Sequence, residues 1–335
     1  MRDRIKAMFL GVMIGDSLGM PVETWSQEKI QNKYGRITDY FTPSGHKWFD
    51  GEEAGTYTDD TYLTIAVAKA MIENPLDMTT QAKYHVEALK DTPKGWGRST
   101  KNSVERIISG THWSQSAEPP TEGGRGTGGG NGVPMKIAPI GAYMWKGMTG
   151  LKTNTEESMN QVQDTIKFAV RLSQMTHGTM ISHISALVQM TAISQCLLSP
   201  KGNLDLFGFK QTVLGAAVMT PCEDPIAERL KNLYNNIDTY TTEKIIEDFG
   251  GGSCYCYNSV PFTHAFFLKN PSSIESLYDV VNGGGDCDSN GSMLASMLGA
   301  LNGMEIFPQH LISGLKQPEL MLNLADEFCD RFEID

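Results

Sequence analysis

Ala7-Met8-Phe9-Leu10-Gly11-Val12-Met13-Ile14-Gly15-Asp16-Ser17-Leu18-Gly19 opens the chain with a small residue at every fourth position. Near the other end, Gly291-Ser292-Met293-Leu294-Ala295-Ser296-Met297-Leu298-Gly299-Ala300-Leu301-Asn302-Gly303 repeats the pattern. Residues four apart share one face of a helix, so each stretch reads as a helix with a smooth ridge along one side. A glycine inside a helix costs roughly 0.5–1 kcal/mol relative to alanine, and several in register need a compensating gain. Close helix–helix packing supplies it. The two ridges are therefore expected to form a central packed pair, in which Ala295→Leu lowers thermal stability.

Working outward, apolar residues recur at helical spacing around 61–73, 79–90, 99–109, 156–175, 178–198, 208–218, 225–235, 242–248, 273–281 and 320–331. Alternating strand patterns are scarce, and an all-α fold follows. The connections 42–57, 114–134 and 249–261 are rich in Gly, Pro, Ser and Thr. Gly123 to Gly132 is the most glycine-rich of these. Helical patterns resume on both sides of it without a change in composition. It reads as a loop within a single domain spanning 1–335, with a linker between two domains as the other reading.

The chain has 335 residues, 40% hydrophobic and 20% charged, with a mean hydropathy of -0.27. These are values of a globular protein. A net charge of -11 argues against a phosphate-backbone binder and so against nucleic acid as a partner. Six cysteines in a chain of this size do not make a disulfide framework, and no C-x-x-C pair suggests zinc. The N-terminal stretch lacks the apolar core and cleavage site of a signal peptide, and no apolar run reaches the roughly 18 residues of a membrane helix. A cytoplasmic protein with no membrane partner is expected.

Two acidic clusters each stand just ahead of a helical run: Thr58-Asp59-Asp60-Thr61 and Asp286-Cys287-Asp288-Ser289. Either one alone makes a good helix cap, because Asp, Ser and Thr accept from the first free N–H groups and complement the helix dipole. Capping needs a single acceptor, however, whereas each cluster brings two carboxylates that repel. Gly283-Gly284-Gly285 precedes the second cluster and permits a tight turn that a cap does not require. Four carboxylates with hydroxyls, and no obligatory His or thiolate, suit Mg2+, Mn2+ or Ca2+.

Other candidates have plain alternatives. Gly130-Asn131-Gly132 lacks the Gly-Lys-Ser/Thr of a Walker loop, yet its N–H groups can cradle a phosphate or simply give flexibility. His177 lies between two helices as a core histidine or a ligand contact. Tyr255 follows a glycine turn, where its ring serves as an apolar anchor or as a stacking platform for a base. Glu23 stands just past the end of the first helix, as a surface group or a site carboxylate.

Taken in order, Gly11 through Glu23, Tyr57 through Thr61, Gly130 through Gly141, Thr176-His177 and Gly284 through Ser289 resemble the motifs of the ADP-ribosylglycohydrolase family across nearly the whole chain. The resemblance implies a single all-α domain with a binuclear Mg2+ or Mn2+ centre in a cleft. Its metal ligands would be Thr58, Asp59, Asp60, Asp286, Asp288 and Ser289. Gly130, Asn131 and Gly132 would wrap the diphosphate and distal ribose with His177 nearby, and Tyr255 would stack on adenine. The catalytic carboxylates would be Glu23, Asp60 and Asp286, with Glu23 or Asp60 activating the attacking water. The family usually reads Gly-Asp-Thr-Asp-Thr in the second cluster, and here Cys287 and Ser289 replace the threonines. Ser289 keeps an oxygen, whereas a thiol facing a hard cation is a poor ligand.

The reading that follows is metal-dependent hydrolysis of the bond between ADP-ribose and a modified protein side chain, foremost arginine, releasing ADP-ribose. A non-catalytic reader of ADP-ribose and a crystallin-like structural protein are the other classes.

Overall fold

The computed structural model describes residues 1–91, 94–118, 128–150, 156–219 and 225–335. The glycines before Gly128 in the Gly-rich stretch lie outside them. Among the described residues are sixteen α-helices: α1 (Arg2–Gly19), α2 (Gln27–Tyr34), α3 (Asp59–Glu73), α4 (Met78–Asp91), α5 (Arg98–Ile108), α6 (Ala138–Gly150), α7 (Glu156–Thr176), α8 (Met180–Leu198), α9 (Leu206–Ala217), α10 (Pro225–Asn236), α11 (Thr242–Asp248), α12 (Cys256–Lys269), α13 (Glu275–Asn282), α14 (Cys287–Asn302), α15 (Gln309–Ser313) and α16 (Pro318–Arg331). Two short strands, β1 (Trp25–Ser26) and β2 (Gly284–Gly285), pair antiparallel. The all-α expectation holds.

α1 and α14 are the axis of the fold. All of α14 is buried, and so is α1 from Arg4 onward except Lys6. The helices run antiparallel with the two small-residue ridges face to face. A Cβ on Gly11 would collide with the backbone of Ala295, one on Gly19 with that of Cys287 and Asp288, and one on Gly299 with that of Ala7. A Cβ on Gly291 would lie 2.5 Å from the carbonyl oxygen of Gly15. Ser292 Oγ adds a hydrogen bond to the Val12 carbonyl at 3.2 Å. Arg4, also buried, donates Nε to Ala300 O at 2.7 Å and Nη1 to Ser199 O at 3.1 Å. Its guanidinium thus satisfies orphan carbonyls at the C-terminal ends of α8 and α14, where a cation complements the helix dipole.

The remaining helices pack around this pair, with α16 and α3 against α1 and with α8, α12 and α13 against α14. Their apolar faces merge into one continuous core running from Ile5 to Ile334.

Four helices were absent from the sequence expectation. α2 buries only Ile30 and so shows no periodicity. α6 carries Pro139 and three glycines, α12 has Pro261 in its interior, and α15 spans only five residues. The membrane reading also needs correcting. Arg2–Val22 and Met180–Leu198 are each long and apolar enough to cross a membrane, by length and composition alone. In the fold, 94% and 89% of those windows are buried against other helices, which is what makes them apolar all round.

Two glycine substitutions should move stability in opposite directions. Gly215 in α9 has open space around its missing Cβ, so Gly215→Ala is expected to raise unfolding free energy by about 0.5–1 kcal/mol. Gly291→Ala forces α1 and α14 apart and is expected to lower it by about 1–3 kcal/mol in urea titrations. A neutral or stabilising Gly291→Ala would refute the packed ridge.

Candidate metal centre

The start of α3 is capped from another helix. Thr58 occupies the N-cap position, and its own side chain caps nothing. Asp16, buried at the end of α1, accepts from Thr58 N–H at 2.9 Å and Thr61 N–H at 3.1 Å. It also accepts from the hydroxyls of Thr58 at 2.9 Å and Thr61 at 2.6 Å. Burial pushes the Asp16 pKa up to about 6 against the pull of these four donors. Asp16 therefore acts as a clamp that orients Asp59 and Asp60.

The start of α14 is placed by glycines. Gly284 and Gly285 adopt φ of +83° and +81°, a region L-residues avoid. A Cβ on Gly285 would overlap the Gly251 carbonyl. β2 pairs with β1 in the register Trp25–Gly285, and Thr24 N–H donates to Gly285 O at 2.6 Å. That pairing draws the segment after α1 alongside the second acidic cluster. Glu23, Asp286 and Asp288 consequently each offer an oxygen within 4.8 Å of the others.

Hydrogen bonds join the halves. Ser289 Oγ donates to Asp60 Oδ2 at 3.3 Å, linking the second cluster to the first. Asn131 Nδ2 donates to Asp286 Oδ2 at 2.5 Å and to Ser259 Oγ at 2.9 Å. Ser259 in turn donates to Asn290 Oδ1 at 2.6 Å, and Asn290 Nδ2 donates to Gly252 O at 2.6 Å. Asp286 is thus fixed by a chain of polar side chains from α12 and α14.

These carboxylates are crowded and dry. Burial, then the charges of neighbouring acids, lifts Asp59, Asp60 and Asp288 well above the carboxylate range. Glu23, only partly buried, is pushed up to about 9 by burial first and then by Asp286, Asp59 and Asp16. Asp286 is raised by burial and held down by bonds from Asn131, Asp288 and Ser289. One oxygen, Asp60 Oδ1, is buried without a hydrogen-bond partner among the described residues. A divalent cation answers both problems, since it neutralises repelling charges and satisfies bare oxygens. The donors are carboxylates and hydroxyls, so the residues fit a hard cation. Cys287 does not spoil that set: its thiol points to the carbonyls of Gly285 at 3.5 Å and Val22 at 3.6 Å.

Beside the carboxylates, Gly129 to Asn131 pair with the stretch before α12. Asn131 N–H donates to Cys254 O at 2.9 Å and Cys256 N–H to Gly129 O at 2.9 Å. Tyr255 lies between them at the N-cap of α12, half-exposed, its ring packed over Gly129. His177 sits behind this loop with 2% of its surface exposed, and a Cβ on Gly132 would be 2.9 Å from its Cε1. Its Nδ1 is paired with Thr176 Oγ1 at 2.9 Å, and burial pushes its pKa down to about 3, so the ring is neutral. The structure therefore joins Tyr255, Gly130, Asn131, Asp286 and Glu23 into one face, with His177 supporting it from within.

Several residues that build the site escaped sequence reading. Asp16 offered a signal, an acid inside an otherwise apolar helix. Ser259 and Asn290 offered none, because their partners lie on other helices. His46 is the fourth. Its Nε2 donates to the Glu23 carbonyl at 3.0 Å, and its Nδ1 accepts from Phe49 N–H at 3.1 Å.

Comparison with known proteins places the chain in a family. The family model described as ADP-ribosylglycohydrolase matches residues 1–334. Human ADP-ribosylhydrolase ARH3 is 25% identical, over 91% of this chain and 87% of that protein. The ADP-ribosyl-[dinitrogen reductase] glycohydrolase of Rhodospirillum rubrum is 22% identical, over 93% of this chain and 90% of the relative. A solved structure, the ADP-ribosylglycohydrolase-related protein complex, superposes with a TM-score of 0.67 at 20% identity, covering 98% of both chains. With the family model matching residues 1–334, this protein belongs to the ADP-ribosylglycohydrolase family.

Proposed function

We propose that the chain, acting as one domain over 1–335, hydrolyses the glycosidic bond between ADP-ribose and a modified protein side chain with the help of two Mg2+ or Mn2+ ions. The observation that carries this reading is the meeting of Glu23, Asp286 and Asp288 within 4.8 Å, tied to Asp60 through Ser289. Thr58, Asp59, Asp60, Asp286, Asp288 and Ser289 would hold the cations. When bound, the cations supply charge that grips the ribose hydroxyls and orients the anomeric carbon.

The protein's own groups account for the rest. Tyr255 offers an exposed ring for adenine at one end of the face, and the Gly130–Gly132 backbone lies between it and the carboxylates. As the bond from the anomeric carbon to the acceptor breaks, positive charge builds on the sugar, and the buried carboxylates stabilise it. A water adds to that carbon, its proton passes to a carboxylate, and the departing acceptor takes up a proton. Glu23 is the least buried of the six acids at the site and the best placed to exchange protons with the acceptor.

Arginine is the proposed acceptor. A glycosylated guanidinium keeps several N–H donors that the carboxyl oxygens of Glu23 can accept, whereas a serine glycoside presents no donor from its side chain. The unbridged state of the five described cysteines supports a reduced, cytoplasmic setting.

Asp286→Asn is expected to cut release of free ADP-ribose from ADP-ribosylated protein by at least about 100-fold while the helical circular dichroism persists. Full turnover in excess EDTA would sink the cation requirement. Cys287→Ala should leave Mn2+ affinity within about twofold by calorimetry, since the thiol faces carbonyls. Turnover should be faster on ADP-ribosyl-arginine than on ADP-ribosyl-serine protein, and the reverse order would reassign the acceptor.

A further inference from the structure

Beside Glu23 the fold builds a rim of rings and lysines around His46. The Nε2 of His46 holds the Glu23 carbonyl at 3.0 Å, and its Nδ1 accepts from the backbone N–H groups of Trp48 at 3.3 Å and Phe49 at 3.1 Å. Trp25 and Phe49 stack on its ring, and Trp48 meets it edge-on with centroids 5.8 Å apart. Trp25 and Phe49 are buried, whereas Trp48 is 48% exposed. A lone exposed indole says little. This one has cations around it. Lys47 Nζ lies 4.8 Å from the centre of the Trp48 ring, and Lys29 and Lys33 lie 3.4 and 4.9 Å from that of Trp25.

All three lysines are exposed. Among the described residues, the ion pairs nearby go to Lys94 with Glu52 and Lys316 with Glu53, and none goes to these three. Lys33 donates to the Ser44 carbonyl, and Asp50 is taken up by Gly45 N–H at 2.5 Å. Lys29 and Lys33 also line an open groove of about 480 Å3 along α2, with Glu28 its single acid. An ammonium resting on a ring keeps donors free to face outward. The result is a positive, aromatic strip on a chain of net charge -11.

We propose that this rim docks the substrate protein and takes an acidic segment flanking the ADP-ribosylated side chain. The inference rests on the proposed hydrolase activity and deepens it by naming what surrounds the modified residue. A side chain released beside Glu23 brings its own polypeptide to the adjoining surface, and the His46 contacts make Trp48 part of that surface. Lys29, Lys33 and Lys47 face the carboxylates of the segment, and Trp48 covers its apolar atoms. Exposed ion pairs are weak one at a time, so the rim selects among substrates more than it tightens binding. Three lysines are few for a nucleic-acid backbone, which needs a longer run of cations.

The test uses the full chain and three substrates with one acceptor, arginine or serine, whichever wild type hydrolyses faster. They are an ADP-ribosylated peptide with Glu on both sides of the modified residue, the same peptide with Lys there, and the free ADP-ribosylated amino acid. Wild-type kcat/KM is expected to be at least about fivefold higher on the Glu peptide, through KM, and the preference to shrink between about 50 and about 500 mM NaCl. Lys29→Glu combined with Lys47→Glu should reverse the preference, and Lys47→Glu alone should lower it at least about twofold. Trp48→Ala should raise KM for both peptides at least about threefold. Every variant should hydrolyse the free conjugate as wild type does. Equal kcat/KM on the two peptides, or a preference that survives both charge reversals, overturns the proposal. So does stronger inhibition by oligo(dT) than by the unmodified Glu peptide, which assigns the surface to nucleic acid. If wild type releases ADP-ribose from none of the three substrates, the hydrolase reading itself falls. If it cleaves the free conjugate and does not distinguish the peptides, only the docking rim does.

Discussion

Because α1 and α14 touch through their backbones, the end of one helix and the beginning of the other must meet at a fixed height. The contact repeats every four residues along both ridges, and at its last step Gly19 lies on Cys287 and Asp288. Glu23, one short turn beyond Gly19, then has to fall beside Asp286. Glycine is unfavourable in a helix on its own account. Here the loss is offset by burial of α14 along its whole length and of nearly all of α1, and by the placement of the acidic site that follows from it.

Around that axis the fold gathers acids that repel one another, and it manages each one separately. Asp16 is occupied by four donors from the start of α3 and serves as an anchor. Asp286 is steadied by Asn131, which is itself held by Ser259. Asp60 receives one bond from Ser289 and keeps one bare oxygen. A site so arranged is rigid on its protein side and open on the side where charge is missing. That asymmetry distinguishes it from a pair of well-capped helix starts.

The neutral histidines belong to the same logic. His177 and His85 are buried, and burial first of all pushes their pKa values down and keeps the rings neutral. His46 bonds the Glu23 carbonyl to the loop that carries the exposed Trp48. These contacts tie the rim of the site to its floor, so that rim and floor are positioned together.

The helices, the ridges and the acidic clusters were legible in the chain because they are local. A period of four, a run of small residues and a carboxylate pair ahead of an apolar stretch lie within a few residues of one another. α2, α6 and α12 were not legible, since burial of a single face or a proline inside a helix depends on neighbours supplied from elsewhere in the chain. Nor could the sequence say that Asp16 caps α3, that Asn131 orients Asp286, or that the Cys287 thiol turns toward carbonyls. Those are choices among partners 42, 155 and 265 positions apart. Sequence by itself determined which residue types were on hand for a hard cation. Only the tertiary structure decided which of them meet, which serve as anchors and which stand behind, because direction and burial arise when distant segments pack.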